Sequence, residues 1–217
     1  MEGNDEALLT AWRDGDPAAG KELYRRYFPI VYRFFASRLA GAEIEDLVQT
    51  TFLACTRHLD RLRDNRSFRA FVLVVARNEF FGHLQKRYRS GNTVDPAKTS
   101  LADVGASASE LLARRDEHRL LSQALRRIPL DLQDLVELHY FEQLTGPELA
   151  AVLEVPEGTI RSRLRRAIAS LRAELERMAR SPEEVESTMG SLSSWAAEIR
   201  ELCGRGLDQA AALESGS

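Results

Sequence analysis

Cysteine is nearly absent from this 217-residue chain: Cys55 and Cys203 stand alone and far apart, in no C-x-x-C spacing. A disulfide scaffold and a thiolate metal site are therefore not expected. The four histidines, His58, His83, His118 and His139, lack metal-ligand spacing with either cysteine, so neither a metal nor a cofactor is expected. Long hydrophobic runs are missing as well. No apolar stretch reaches the roughly 18 residues of a membrane span, and the N-terminal MEGNDEALL is acidic where a secretory leader is basic. The expectation is a cytoplasmic chain without membrane insertion. Phosphate loops, nucleophile–base pairs and supported carboxylate pairs are also lacking, which argues against an enzyme and against a small-molecule substrate. The net charge of −3 lacks the positive excess that phosphate contacts require.

That average hides segregation. Basic residues collect in 61–89 and 161–180, whereas 181–217 carries seven acids against two arginines, a local charge of −5. With 44% hydrophobic residues the chain can still bury one or two small cores.

The stretch 144–171, LTGPELAAVLEVPEGTIRSRLRRAIASL, reads as two short helices broken by a tight turn. Leu149, Val152 and Leu153 give the first an apolar face, Glu154 to Pro156 interrupt it, and Ile160, Leu164, Ile168, Leu171 and Leu175 resume at helical spacing. Pro156 suits a helix start. Glu154 falls where the turn favours a left-handed backbone, which a β-carbon makes costly. Opposite the apolar stripe lie Thr159, Ser162, Arg165, Arg166 and Ala169, flanked by Arg161 and Arg163. From Glu157 to Arg180, seven arginines oppose three glutamates, a local +4 that an ordinary solvated helix does not carry. Such a face can enter a DNA major groove, where arginine forks read guanine or grip phosphate.

Before this motif the sequence predicts helices throughout. A short one over Asp5 to Asp14 carries Leu8, Leu9 and Trp12, and Gly15-Asp16-Pro17 supplies a turn, a cap and a first-turn proline. The next holds the dense apolar set from Leu23 to Leu39, read as core. In the helix from about Glu43 to Leu62, Ile44, Leu47, Val48, Phe52, Cys55 and Leu59 form an inward stripe, leaving Asp46, Gln49, Thr50, Leu53 and Arg57 outside. A surface leucine framed by Asp46 and Gln49 suits a helix-binding partner, although a scattered surface leucine is ordinary. Asp60 to Arg66 reads as a polar connector. A helix from Phe68 begins apolar and ends in Lys86, Arg87, Tyr88 and Arg89, a basic run that serves either the helix dipole or a nucleic-acid track.

Small and polar residues then mark 91–109 as a flexible linker, with a root-mean-square reach on the order of 25 Å if fully coil-like. Helical periodicity returns at Glu110. The acidic segment 181–217 places Leu192, Trp195, Ile199 and Leu202 at helical spacing and is expected to add one short helix packed loosely on the domain. Its charge suggests a modest, salt-screened contact with a basic DNA-binding surface.

Three separated blocks resemble the bacterial RNA polymerase sigma factors, specifically the extracytoplasmic-function (ECF) group. Asp46-Leu47-Val48-Gln49-Thr50-Thr51-Phe52-Leu53 is similar to the family's clamp-binding helix. Phe68-Arg69-Ala70-Phe71 with Ala76-Arg77-Asn78 resembles its promoter-melting helix, with Phe71, Leu73 and Val74 where tryptophan and polar residues are usual. Leu144 to Arg166, especially Val155 to Leu164, is similar to its minus-thirty-five-reading helix-turn-helix, and the resemblance runs over roughly 5–176.

The resemblance implies an all-α protein of two small helical domains, 1–90 and 110–180, joined by the 91–109 linker and followed by the 181–217 extension. It implies that Asp46, Gln49 and Leu53 face core RNA polymerase, and that Thr159, Arg161, Ser162, Arg163, Arg165 and Arg166 read the minus-thirty-five element. Asp64, Asn65 and Arg66 would hold an extruded minus-ten base, with Arg77, Asn78, Lys86 and Arg87 following the strand. The implied partners are the clamp and flap regions of core polymerase, promoter DNA and, as a further candidate, an anti-sigma factor. A rival reading is a dimeric helix-turn-helix regulator that acts without being a polymerase subunit, binding palindromic half-sites.

Overall fold

The computed structural model describes residues 5–59, 68–87, 94–105 and 116–202. Ten helices run through them: α1 (Asp5–Arg13), α2 (Pro17–Ala36), α3 (Ala42–Arg57), α4 (Phe68–Arg87), α5 (Asp116–Leu125), α6 (Leu130–Tyr140), α7 (Gly146–Leu153), α8 (Glu157–Met178), α9 (Pro182–Gly190) and α10 (192–202). Among the described residues the only β-type pairing is an isolated bridge between Ser100 and Pro129. The fold is all-α.

Helices α1 to α4 form the first half. Gly15 turns the chain at φ 95°, and the Asp16 carboxylate accepts a 2.9 Å bond from Ala18 N, capping α2 ahead of Pro17. Gly20 lets α1 approach: a β-carbon there would lie 2.5 Å from the Trp12 ring. Asp5 ties the two helices together by accepting from Arg26 (2.7 Å) and from the Tyr27 hydroxyl. Phe68, at the start of α4, is fully enclosed and takes edge contacts from Trp12 and Tyr27, while Phe34 meets Phe80 at right angles. Helix α3 buries the expected stripe but ends at Arg57, short of Leu62. Cys55 lies inside this core, and burial, aided by the nearby Glu79 charge, pushes its thiol up to about 12. It is a packing residue, as its place on the stripe implied.

The second half is built from α5 to α10. Part of the predicted linker is folded against it. Leu101 and Val104 are buried, Ala102 N donates to Arg126 O (2.9 Å), and Thr99 and Pro96 carbonyls accept from Leu130 and Asp131 N. Ser100 and Asp103 close this strap, with Ser100 N and Oγ both donating to Asp103, and those bonds hold the Asp103 carboxyl below its ordinary range. Over 94–105, three buried aliphatics outweigh the small-polar composition that suggested coil.

The extension also departs from expectation. It forms two helices instead of one, and its packing is tight. Trp195 is fully enclosed, edge-on to Phe141 at 5.0 Å, and Val185, Leu192, Ala196 and Ile199 are buried around it. Arg200 Nη1 donates to the carbonyls of Tyr140 (2.6 Å) and Phe141 (3.1 Å), satisfying orphan groups at the end of α6. The attraction between the acidic segment and α8 exists, but it falls on Arg172, paired with Glu186, and not on the predicted reading face.

The two halves meet where α4 packs on α7 and where Arg33, Arg38 and Arg77 pair with acids on and beside α6, and their buried side chains form one continuous core.

Candidate nucleic-acid and partner interfaces

The helix-turn-helix closes as its sequence dictates. At the start of α7 the Glu148 carboxylate accepts from both Thr145 N and Thr145 Oγ1 at 2.7 Å, a capping-box arrangement with Pro147 in the first turn. Glu154 ends α7 in the left-handed region, φ 54° and ψ 43°, with its N–H bonded to Ala150 O. Helix α8 then starts at Glu157, immediately after Pro156.

Ile160, Ala167, Leu171 and Leu175 face the core, while Leu164 and Ile168 are half-buried. Arg161, Ser162, Arg165 and Arg166 are exposed, and Thr159 and Arg163 are half-buried at the edge of the same face. The Ser162 hydroxyl donates to Thr159 O at 2.9 Å, leaving its oxygen able to accept. At the first turn of α6, burial pushes the Asp131 carboxyl up; the Leu132 N–H and the charges of Arg166 and Arg163 pull it back. Asp131 thus lies close enough to Arg163 and Arg166 for their charges to act on it.

Asp46, Gln49 and Leu53 stand together on the exposed side of α3, with Leu53 48% exposed. Gln49 and Leu53 line a largely apolar groove of about 370 Å³ together with Trp12, Tyr24, Phe52 and Phe68. Tyr24, 42% exposed, is the other large apolar side chain left open among the described residues. Sequence reading found Leu53 but missed Trp12, on a short helix given no partner, and Tyr24, on a helix read as core; the packing of α1 and α2 brings them to one groove with Leu53.

The residues predicted for the minus-ten side divide. Asp64, Asn65 and Arg66 lie outside the described residues. Asn78 and Lys86 are exposed on α4, and Arg87 is exposed but paired with Glu43 at 3.0 Å. Arg77 is not on an open track here: its Nε donates to Asp134 Oδ2 at 2.7 Å, and its guanidinium lies 4.7 Å from the Phe81 ring centre. It belongs to an ionic network between the halves that sequence reading missed.

Fully buried Arg38 sits at the centre of that network, its guanidinium 3.8 Å above the Phe34 ring. It donates to Asp134 Oδ1 (2.6 Å), Glu137, Ser37 Oγ (2.6 Å) and Phe34 O (2.6 Å). Glu137 also accepts from Ser37 and Gln133, and Arg33 forms a two-pronged pair with Glu142 at 2.9 and 2.7 Å. Burial works against the Arg38 charge, yet Glu137 and Asp134 outweigh it and hold the guanidinium above its ordinary value. Burial likewise pushes the Glu137 carboxyl up against the pull of Arg38. The available signal was a pair of arginines inside the aromatic run 32–39, where an apolar helix face has no use for charge unless a partner brings acids to it.

Among the described residues no cluster of potential ligands could hold a metal, and no helix is long and apolar enough to cross a membrane.

Comparison with known proteins matches both halves. The family model described as Sigma-70 region 2 covers residues 23–90, and that described as Sigma-70, region 4 covers residues 118–171. The ECF RNA polymerase sigma-E factor of Salmonella typhimurium (strain LT2) is 28% identical over 173 residues, 75% of this chain and 90% of the relative. The protein of the same name from Haemophilus influenzae is 27% identical over 172 residues, with the same coverage. In fold, the chain is similar to CnrH in complex with the cytosolic domain of CnrY (TM-score 0.59, 22% identity, 81% of this chain and 99% of that one). It is also similar to the sigma factor RpoE from Bartonella quintana in complex with the anti-sigma factor NepR (TM-score 0.51, 23% identity, 72% and 98%).

Proposed function

We propose a specific division of labour for this chain, which belongs to the sigma-70 family of RNA polymerase sigma factors and, within it, to the ECF group. It is an alternative sigma factor: it joins core RNA polymerase and directs it to particular promoters, and bond formation in RNA is left to the polymerase. Its place of work is the cytoplasm, where polymerase and DNA are.

The observation that carries this reading is the matching of regions 2 and 4, in order, to two halves that each present an outward face of the right chemistry. Asp46, Gln49 and Leu53, beside the Trp12–Tyr24 groove, are assigned to the polymerase clamp. An apolar floor with a polar rim is how stable protein interfaces are built. Thr159, Arg161, Ser162, Arg163, Arg165 and Arg166 are assigned to the minus-thirty-five element, with α8 laid in the major groove. Asn78, Lys86 and Arg87, with Arg77 once released, are assigned to the minus-ten strand, and Asp64, Asn65 and Arg66 to a flipped base. The flap region of polymerase is the expected neighbour of the second half. Since the Bartonella quintana neighbour is in complex with an anti-sigma factor, a protein of that class is a candidate partner here too.

Two variants separate the interfaces. Leu53→Glu should abolish co-purification with core polymerase, while Arg166→Ala should retain it and lower transcription from promoters with an intact upstream element by roughly 5- to 150-fold, corresponding to about 1–3 kcal/mol for one lost base or phosphate contact. If Arg166→Ala lost polymerase binding, or Leu53→Glu kept it, the assignment would be wrong.

A further inference from the structure

Asp131 carries a polar atom that the rest of the fold leaves unused. It stands in the first turn of α6, directly after Leu130, which opens the helix. The strap 94–105 fixes that turn, with Leu130 N donating to Thr99 O (2.9 Å) and Asp131 N to Pro96 O (3.1 Å). The side chain is half-buried, and its carboxyl oxygen Oδ1 is shielded from solvent and accepts no hydrogen bond. An acid at a helix start ordinarily serves the helix dipole from an exposed place. A shielded oxygen without a donor loses more than the dipole returns, so service to the helix does not account for it.

The acid one turn further on is differently engaged. Asp134 has both carboxyl oxygens taken, one by Arg38 and the other by Arg77. The cations that act on Asp131 come instead from α8, which packs directly on α6: Arg166 acts most strongly, then Arg163. Arg166 is exposed on the reading face, and Arg163 is half-buried at its edge. No hydrogen bond reaches Asp131 Oδ1, so neither guanidinium is closed on that oxygen, which is left as an acceptor behind the face.

We propose that Asp131 is a positioning residue for Arg166, holding its guanidinium fork toward the base edges of the minus-thirty-five element. This rests on the sigma-factor reading and deepens it, by giving the reading face a specificity determinant that lies outside α7 and α8. A guanidinium carries more N–H donors than a guanine edge takes, so one fork can serve the base in front and a carboxylate behind. A long side chain steadied from behind loses less freedom on contact, which favours an aimed base contact over a loose grip on phosphate. The carboxylate also repels the DNA backbone. Where the sequence offers Arg166 no suitable base edge, that repulsion is uncompensated. Asp131 thus sharpens the choice of element more than it strengthens binding.

The test uses holoenzyme assembled from core polymerase and the full chain, on the promoter of its own operon with the upstream element randomised. Transcripts made with the unsubstituted protein define a preferred element. The readout is the ratio of transcription from that element to transcription from a scrambled one. Asp131→Asn should lower this ratio about fivefold, the low end of what one aimed base contact discriminates, at the same base pairs that Arg166→Ala relaxes. In the Arg166→Ala background the same substitution should change the ratio by less than about twofold. The melting temperature of Asp131→Asn should hold or rise, because a shielded charge is removed. An unchanged ratio, a loss that persists without Arg166, or a variant that melts lower or fails to fold would each overturn the proposal, the last two by making Asp131 a structural residue. Should the unsubstituted holoenzyme select no upstream sequence at all, the sigma-factor reading itself would be contradicted.

Discussion

Glu154 is held at φ 54°, in a region where a β-carbon costs about 1–2 kcal/mol. The position cannot be relaxed locally, since its N–H closes α7 on Ala150 and only Val155 and Pro156 separate it from the start of α8. Glu154→Gly removes that cost but returns part of it as extra freedom in the unfolded chain. The expected net gain is about 0.5–1 kcal/mol, a rise of about 1–4 °C in melting temperature; a lower melting temperature would show that the Glu154 side chain makes a compensating contact. This conformation was legible in the sequence because a turn of three residues between two amphipathic helices leaves few backbone solutions. Arg38 was not legible. Nothing local tells a guanidinium within an aromatic run that two carboxylates, 96 and 99 residues away, will meet it.

Among the elements, the extension shows how composition misleads where packing decides. It was expected as one loosely packed helix, yet α9 packs on α5 and α8 with Val185 buried, and Leu192, Trp195, Ala196 and Ile199 are buried on α10, with Trp195 against His118 and Phe141. The charges lie on the outer side, and one of them finds Arg172. Trp195 is the anchor. Trp195→Ala should cost about 3–5 kcal/mol in equilibrium denaturation of the full chain, the range for truncating a fully buried aromatic; a loss below about 1 kcal/mol would mean that the extension is dispensable to the second half. By contrast the start of α3 and the break between α7 and α8 were read closely, since each has a clean inward stripe and a chemically marked start or stop, although α3 stops at Arg57, short of Leu62. The outward faces of α3 and α8 followed from the same wheels, which is why Asp46, Gln49, Leu53 and the arginines of α8 were found before any contact was known. The groove walls contributed by Trp12 and Tyr24 required the crossing of helices.

For the whole molecule, each half could be inferred from periodicity, but not their association. A flexible connection between two bodies leaves their docking undetermined, and the determinants here include sparse charges on and beside α2, α4 and α6. The two halves of the resulting protein are joined by buried ion pairs as well as by apolar packing. The most direct measurement combines purified core RNA polymerase, this protein and a template carrying the promoter of its own operon. Stable association with core enzyme and a discrete promoter-initiated transcript that appears only when both proteins are present are the expected results. No association with core enzyme, together with dimeric binding to a palindromic duplex, would contradict the sigma-factor role and return the chain to the class of free helix-turn-helix regulators.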